Sequence, residues 1–222
     1  MLYSAENVKA NIRNRDGKRV FFLGHGDTLS PSARDFLTRE RIEILPAEQA
    51  AFQEFQLENG AVFREKPEHY THLRGNIMVP KDHPVIAFRG AMDSLQAALL
   101  LAQLVCTGQR QALGEILGLA RNIIRWEVLQ EPAQVGKLCG LTEAQLRSHS
   151  HDPKTYYGIP HFMPEYTDGE AVLQLNACRC AARQAELAAV RAFGDKRPDL
   201  LQALNRMSSA LYILMIQTKK EG

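Results

Sequence analysis

From Val85 to the C-terminus, apolar residues recur every three or four positions, the period of one face of an α-helix. Met92, Leu95, Leu99 and Ala102 form a first stripe; Leu113, Ile116, Leu117, Ala120, Ile123 and Ile124 form a second. Thr142-Glu143-Ala144-Gln145 reads as a capping box opening a short helix. Pro153, Gly158, Pro160 and Pro164 predict an irregular loop from Asp152 to Thr167. A long helix is then predicted from Gly169 to Phe193. Its apolar face, Cys178, Ala182, Ala185 and Ala189, is small enough for another helix to approach closely. Pro198 opens a last helix with the stripe Leu200, Leu204, Met207, Leu211 and Leu214. Its spacing alternates four and three, as in a bundle seam.

The pattern before Gly75 is different. Val20-Phe21-Phe22-Leu23 and the alternating Arg41-Ile42-Glu43-Ile44-Leu45 read as strands. Between them, Ser30-Pro31 is an N-cap followed by a first-turn proline, opening a helix to Arg39. Phe55-Gln56-Leu57 and Ala61-Val62-Phe63 flank Asn59-Gly60, the signature of a hairpin with a tight turn. The chain therefore reads as mainly α: a bundle of about five helices over residues 75–222, with a small N-terminal α+β appendage over residues 1–74.

Composition narrows the function classes. Hydrophobic residues make up 45% and charged residues 23%, an ordinary globular mixture. A net charge of +2 argues against a dedicated nucleic-acid binder, which needs a strong basic patch. No basic segment leads into an apolar stretch at the N-terminus, and the run Ala97–Ala102 is too short to span a bilayer. The expectation is a cytoplasmic protein with no membrane partner. Cys106, Cys139, Cys178 and Cys180 follow no disulfide or Cys-x-x-Cys spacing and read as small core residues in a reducing compartment.

Four groups of polar residues could carry chemistry. Arg179, Arg183 and Glu186 fall within an arc of about 60° on one helix, beside the alanine stripe. They read either as a functional face or as a solvated row of ion pairs. Asp93 directly follows Met92 and so borders a buried seam, where a carboxylate needs a cationic partner such as Arg179 or Arg183. Its other reading is an N-terminal helix residue favoured by the helix dipole. Asn205 and Ser209 lie one turn apart beside the last core stripe. Lys81, in Pro80-Lys81-Asp82-His83-Pro84, could neutralise phosphate oxygens or simply be an exposed loop lysine. Gly24-His25-Gly26-Asp27-Thr28 lacks the Walker A ending and reads as a plain turn. His69 and His72 have no acidic or cysteine partners to complete a metal site and read as loop histidines.

These pieces occur in a familiar order. The string from His83 to Ser94 resembles the first bundle helix of the ATP:cob(I)alamin adenosyltransferases, with Lys81 and Asp93 separated as that family's lysine and helix aspartate are. The string from Leu175 to Glu186 is similar to its Arg-x-x-x-Arg-x-x-Glu motif, and Leu204-Asn205-Arg206-Met207-Ser208-Ser209 to its Leu-Asn-Arg-hydrophobic-Ser motif. Leu29 to Leu37 and Ser150 to Pro164 resemble the ethanolamine-utilisation branch.

The resemblance implies a helical bundle, usually a trimer, with active sites between subunits. It implies transfer of the 5′-deoxyadenosyl group of ATP to the cobalt of cob(I)alamin, with Mg²⁺ accompanying ATP and cobalamin as substrate. It implies that Asp93 and Arg179 pair and orient the corrin, and that Lys81, Arg183, Glu186 and Asn205 serve the nucleotide. Phe162, in the proline-rich loop, is the candidate to pack below cobalt and exclude its lower axial ligand; its other reading is packing that anchors the loop. Implied partners are a cobalamin reductase and a cobalamin-dependent lyase, here ethanolamine ammonia-lyase; association with a bacterial microcompartment stays open. A non-catalytic protein that binds or delivers adenosylcobalamin, or a bundle used only for assembly, are the alternatives.

The sequence departs from the family in three places. Gly24 to Thr28 matches poorly the phosphate loop of the propanediol-type members. Ser209 stands where many relatives carry aspartate. Many ethanolamine-type members carry a histidine and a Cys-Cys-x-x-Cys cluster just before the segment matching Thr71-His72-Leu73; here no cysteine precedes Cys106. The metal requirement attached to that cluster is not expected.

Overall fold

The computed structural model describes residues 1–15, 17–50, 55–63 and 65–221. The chain divides into two compact units, Met1–His83 and Pro84–Gly222. The expected boundary at residue 74 falls inside a hairpin, so the first unit runs on to His83.

That first unit contains β1 (Leu2–Tyr3), α1 (Ala5–Ala10), β2 (Arg13–Arg15), β3 (Lys18–Leu23), β4 (Thr28–Leu29), α2 (Pro31–Arg39) and β5 (Glu43–Pro46). It continues with β6 (Phe55–Leu57), β7 (Val62–Phe63), β8 (Tyr70–Arg74) and β9 (Ile77–Pro80). Ser30 caps α2, its hydroxyl accepting from the Ala33 N–H at 3.2 Å. α2 returns the chain so that β5 pairs parallel with β3, while β2 pairs antiparallel on the other side of β3. Val8, Phe21, Leu29, Ala33, Leu37 and Ile42 form the core beneath them. β6 and β7 form the expected hairpin, with Gly60 at φ +87° in the turn. They join β9 and β8 in a second sheet. His72 is on β8 rather than in a loop, its ring edge-on to Phe55.

The second unit is helical: α3 (Pro84–Val105), α4 (Arg110–Leu129), α5 (Glu143–His151), α6 (Pro153–Tyr157), α7 (Glu170–Phe193) and α8 (Pro198–Glu221). The predicted capping box is present: Thr142 Oγ1 accepts from the Gln145 N–H, and the Gln145 side chain accepts from the Thr142 N–H. The stretch from Asp152 is not wholly irregular. Pro153 takes the first helical position after an Asp152 cap, and the five residues of α6 follow. Met92, Leu95, Leu99 and Ala102 of α3 and Cys178, Ala182, Ala185 and Ala189 of α7 are fully buried. Ile124 is only half-buried, and the α4 stripe instead continues to Trp126 and Glu127.

α3 is long and apolar enough in composition to cross a membrane, yet one face of it is the centre of this bundle. Its outward face carries Leu100, Leu101 and Leu104, which are 48%, 59% and 72% exposed. Cys106 and Cys178 are core residues as expected, but Cys180 is exposed. An offset of two from Cys178 turns it about 200° from the core face.

Candidate functional site

α7 and α8 run antiparallel and present their polar residues to one another. Asn205 of α8 donates from Nδ2 to Glu186 Oε1 of α7 at 3.2 Å. Further along, the Arg179 guanidinium lies 5.5 Å from the centre of the Tyr212 ring, a cation–π contact. Between these contacts opens a cleft of about 410 Å³, lined by Arg179, Arg183, Asn205, Ser208, Ser209 and Tyr212. Ser150 and His151 of α5, with His161 and Phe162 of the following loop, close another side. The two arginines give the cleft a cationic wall. Arg179 Nε is buried without a hydrogen-bond partner, so part of its donor capacity is unused.

The loop wall is held by α8. His161 Nε2 lies 3.1 Å from the His151 carbonyl oxygen, which can only accept. That places the proton on Nε2, and in the neutral ring Nδ1 accepts from the Tyr212 hydroxyl at 2.9 Å. Phe162 stacks near Tyr212, and the Lys219 ammonium lies 4.3 Å from the centre of the Phe162 ring. Lys219 also pairs with Asp168. Its hydrogen bond holds the Asp168 carboxyl below the usual range. On the core side of α7, burial pushes the Cys178 thiol up to about 12, so it stays protonated and inert.

Of the residues singled out by sequence, Arg179, Arg183, Asn205, Ser209 and Phe162 line this cleft. Glu186 stands behind Asn205. Lys81 belongs to the other unit, where its exposed ammonium pairs with Glu68 at 3.1 Å.

Asp93 corrects an expectation. It is exposed, and no ion pair joins it to Arg179 within the chain among the described residues. Phe88 meets Phe193, and Cys106 Sγ donates to the Ala171 carbonyl, so α3 and α7 are antiparallel. Interpolation puts Asp93 level with Leu187, about eight residues or roughly 12 Å along the axis from Arg179. Following Met92 by one residue also turns Asp93 about 100° from the stripe, onto the outward face with Leu100 and Leu104.

Tyr212, His161 and Ser208 were not singled out from sequence. A signal existed for Tyr212: Asn205, Ser209 and Tyr212 recur at offsets of four and three, a polar stripe beside the apolar one.

Comparison with known proteins places the chain in a family. The chain is 37% identical to the corrinoid adenosyltransferase EutT of Salmonella typhimurium, over 94% of its own length and 89% of that protein. It is 36% identical to the corrinoid adenosyltransferase EutT of Escherichia coli K12, over 68% of this chain and 59% of that protein. The family model for cobalamin adenosyltransferase matches residues 61–218, a span that contains every residue of the cleft. The chain belongs to the cobalamin adenosyltransferase family.

Proposed function

We propose that this enzyme transfers the 5′-deoxyadenosyl group of ATP to the cobalt of cob(I)alamin and works in ethanolamine utilisation. One observation carries the assignment of its site. Arg179, Arg183, Asn205 and Phe162 come from three separate stretches of sequence, yet they line one cleft in a chain of this family.

Cob(I)alamin is itself a strong nucleophile, so the protein contributes placement and electrostatics. Cobalt attacks the ribose C5′; the Co–C bond forms as the C5′–O bond breaks. Triphosphate leaves with the electron pair, and cobalt passes formally from Co(I) to Co(III). Arg183 offsets charge on the departing triphosphate, with Asn205 and Glu186 holding the nucleotide. Lys81 is assigned to the same nucleotide by its motif. Arg179 faces the corrin, and Phe162 excludes water and the lower axial ligand beneath cobalt. ATP enters as its Mg²⁺ complex. Among the described residues no group of three His, Cys, Asp or Glu side chains forms a cage, so the triphosphate itself would supply most of the ion's ligands.

The outward face of α3 supports an oligomer. Asp93, Ala97, Leu100 and Leu104 recur at offsets of four, three and four, an apolar seam with one carboxylate in it. A second copy on this seam, as in the trimer of the family, would bury Asp93. Arg179 of that neighbour is its natural partner, because the partner within the chain is out of reach. A cobalamin reductase would supply Co(I), and a cobalamin-dependent lyase would take the product, in the cytoplasm or an associated microcompartment.

The test is an anaerobic assay with reduced cobalamin and ATP, followed by visible absorbance. Adenosylcobalamin and triphosphate should form in equal amounts. Arg183→Ala should raise KM for ATP far more than KM for cobalamin. Binding of adenosylcobalamin with no ATP consumption would make the protein a carrier instead.

A further inference from the structure

The loop wall of the cleft has no ladder of its own: residues 158–165 are neither helix nor strand. Such a segment depends on side-chain contacts to hold one position. Here those contacts converge on α8. The Tyr212 hydroxyl donates to His161 Nδ1. Lys219 caps the Phe162 ring and pairs with Asp168 just beyond the loop. Tyr212 has a second task, because its ring carries the Arg179 guanidinium. Arg179 Nε has no hydrogen-bond partner within the chain, so within the chain the ring helps to aim this side chain. One tyrosine thus holds the loop by its hydroxyl and the arginine by its face.

We propose that Tyr212 and His161 are positioning residues for adenosyl transfer, coupling the placement of the Phe162 loop to the aim of Arg179. This rests on the reading that Arg179 and Phe162 face the corrin. The His151 carbonyl sets the His161 tautomer, His161 orients the Tyr212 hydroxyl, and Tyr212 thereby presents a fixed ring to Arg179. Loss of the hydroxyl removes one of the loop's anchors and leaves the ring. Loss of the ring removes that anchor and the support of Arg179 together. Misplacement by about 1 Å is enough to cost a large factor in rate.

Tyr212→Phe and Tyr212→Leu separate the two tasks, with His161→Ala and His161→Gln as their counterparts. Tyr212→Phe and His161→Ala should each lower kcat about tenfold and raise KM for cobalamin, with KM for ATP within about twofold of the parent. His161→Gln should recover part of the loss, because its amide can accept from Tyr212 and donate to the His151 carbonyl. The double variant Tyr212→Phe with His161→Ala should be no worse than either single change. Tyr212→Leu should be the most impaired. The visible spectrum of cob(II)alamin bound with ATP is the second readout: these variants should retain more of the form with its lower axial ligand attached. A merely structural role would lower the melting temperature and shift both KM values together. Parent values of kcat, KM and spectrum in Tyr212→Phe and His161→Ala, alongside an Arg179→Ala enzyme impaired for cobalamin, would overturn the coupling and leave the corrin assignment standing. An Arg179→Ala enzyme with unchanged cobalamin dependence would instead remove the assignment on which the coupling rests.

Discussion

Among the described residues, the longest strand of the Met1–His83 unit has 6 residues, whereas α3, α7 and α8 of the Pro84–Gly222 unit have 22, 24 and 24. The difference in length decides how each unit is held. A long helix presents a continuous apolar stripe, and its stability is spread over many buried side chains. Short strands bury little each, so single backbone contacts matter more. In the first unit the Asn76 side chain acts as an extra ladder rung, bonding the Asn14 N–H and C=O at 2.7 Å each. The neighbouring Gly75, at φ +55°, sits so close to β2 that an added Cβ would lie 2.1 Å from the Ile12 carbonyl oxygen. Met1 closes the Gly24–Thr28 turn through its ammonium, 2.6 Å from Asp27. In the helical unit the comparable singular contact is electrostatic: Arg89 donates twice to Glu127, which is fully buried. The lesson is that a helical bundle is vulnerable where it buries charge, and a small α+β unit where its backbone is crowded.

The largest effect is expected from Arg89→Ala, which strips a buried carboxylate of its bidentate partner and should cost about 3–5 kcal/mol. Arg89→Met combined with Glu127→Leu should recover most of that in chemical denaturation. If the double change is as damaging as the single one, packing and not charge is the weak point of the bundle. Next, Gly75→Ala should cost about 3 kcal/mol, from positive φ and the crowding against Ile12. Amide exchange should rise in β2, β8 and β9, with α3 and α7 unchanged. Equal loosening of both units would mean that they do not differ in this way.

A smaller effect concerns acid. The hydrogen bond from Arg197 to Asp199 in the helical unit lowers that carboxyl to about 2. A folded pKa below the ordinary value of 3.8 gives stability that is complete above about pH 4 and lost as pH falls toward 2. The contribution should be on the order of 1 kcal/mol after solvent screening. Asp199→Ala should flatten the dependence of stability on pH across that window. The smallest effect is expected from metal removal. The first unit contains no cysteine, so it offers no thiolate ligand for a transition metal. Protein stripped by a strong chelator and resupplied with Mg²⁺ should keep its turnover; activity restored only by zinc or iron would contradict this.

Much of the helical unit was legible because its signals are local. A capping box needs four residues, and a stripe needs one helix, so Thr142, Met92 to Ala102 and Leu200 to Leu214 could be read directly. α6 is not legible because Pro153, close to Gly158, Pro160 and Pro164, reads as a breaker, whereas proline is welcome in a first turn. Glu127 could not be foreseen as buried, since its acceptance into the core depends on Arg89 from another helix. Four of the cleft's five anticipated residues lie in motifs on α7 and α8. Tyr212 had the right spacing but no motif to draw attention to it.

Periodicity is a property of one helix: it determines the angle of each residue about that helix's axis. The sequence by itself therefore established that Arg179, Arg183 and Glu186 share a face, and that Asn205 and Ser209 do. It could not set the register between helices, because that depends on how side chains of both partners interlock. The tertiary structure decided that Arg179 meets Tyr212 and Glu186 meets Asn205. It also decided that Asp93 lies level with Leu187, out of reach of Arg179 in the same chain. And it decided that the proline-rich loop, whose residues carry no periodic signal, is held by His161, Phe162 and Asp168 against α8, where a long helix offers fixed partners at Tyr212 and Lys219.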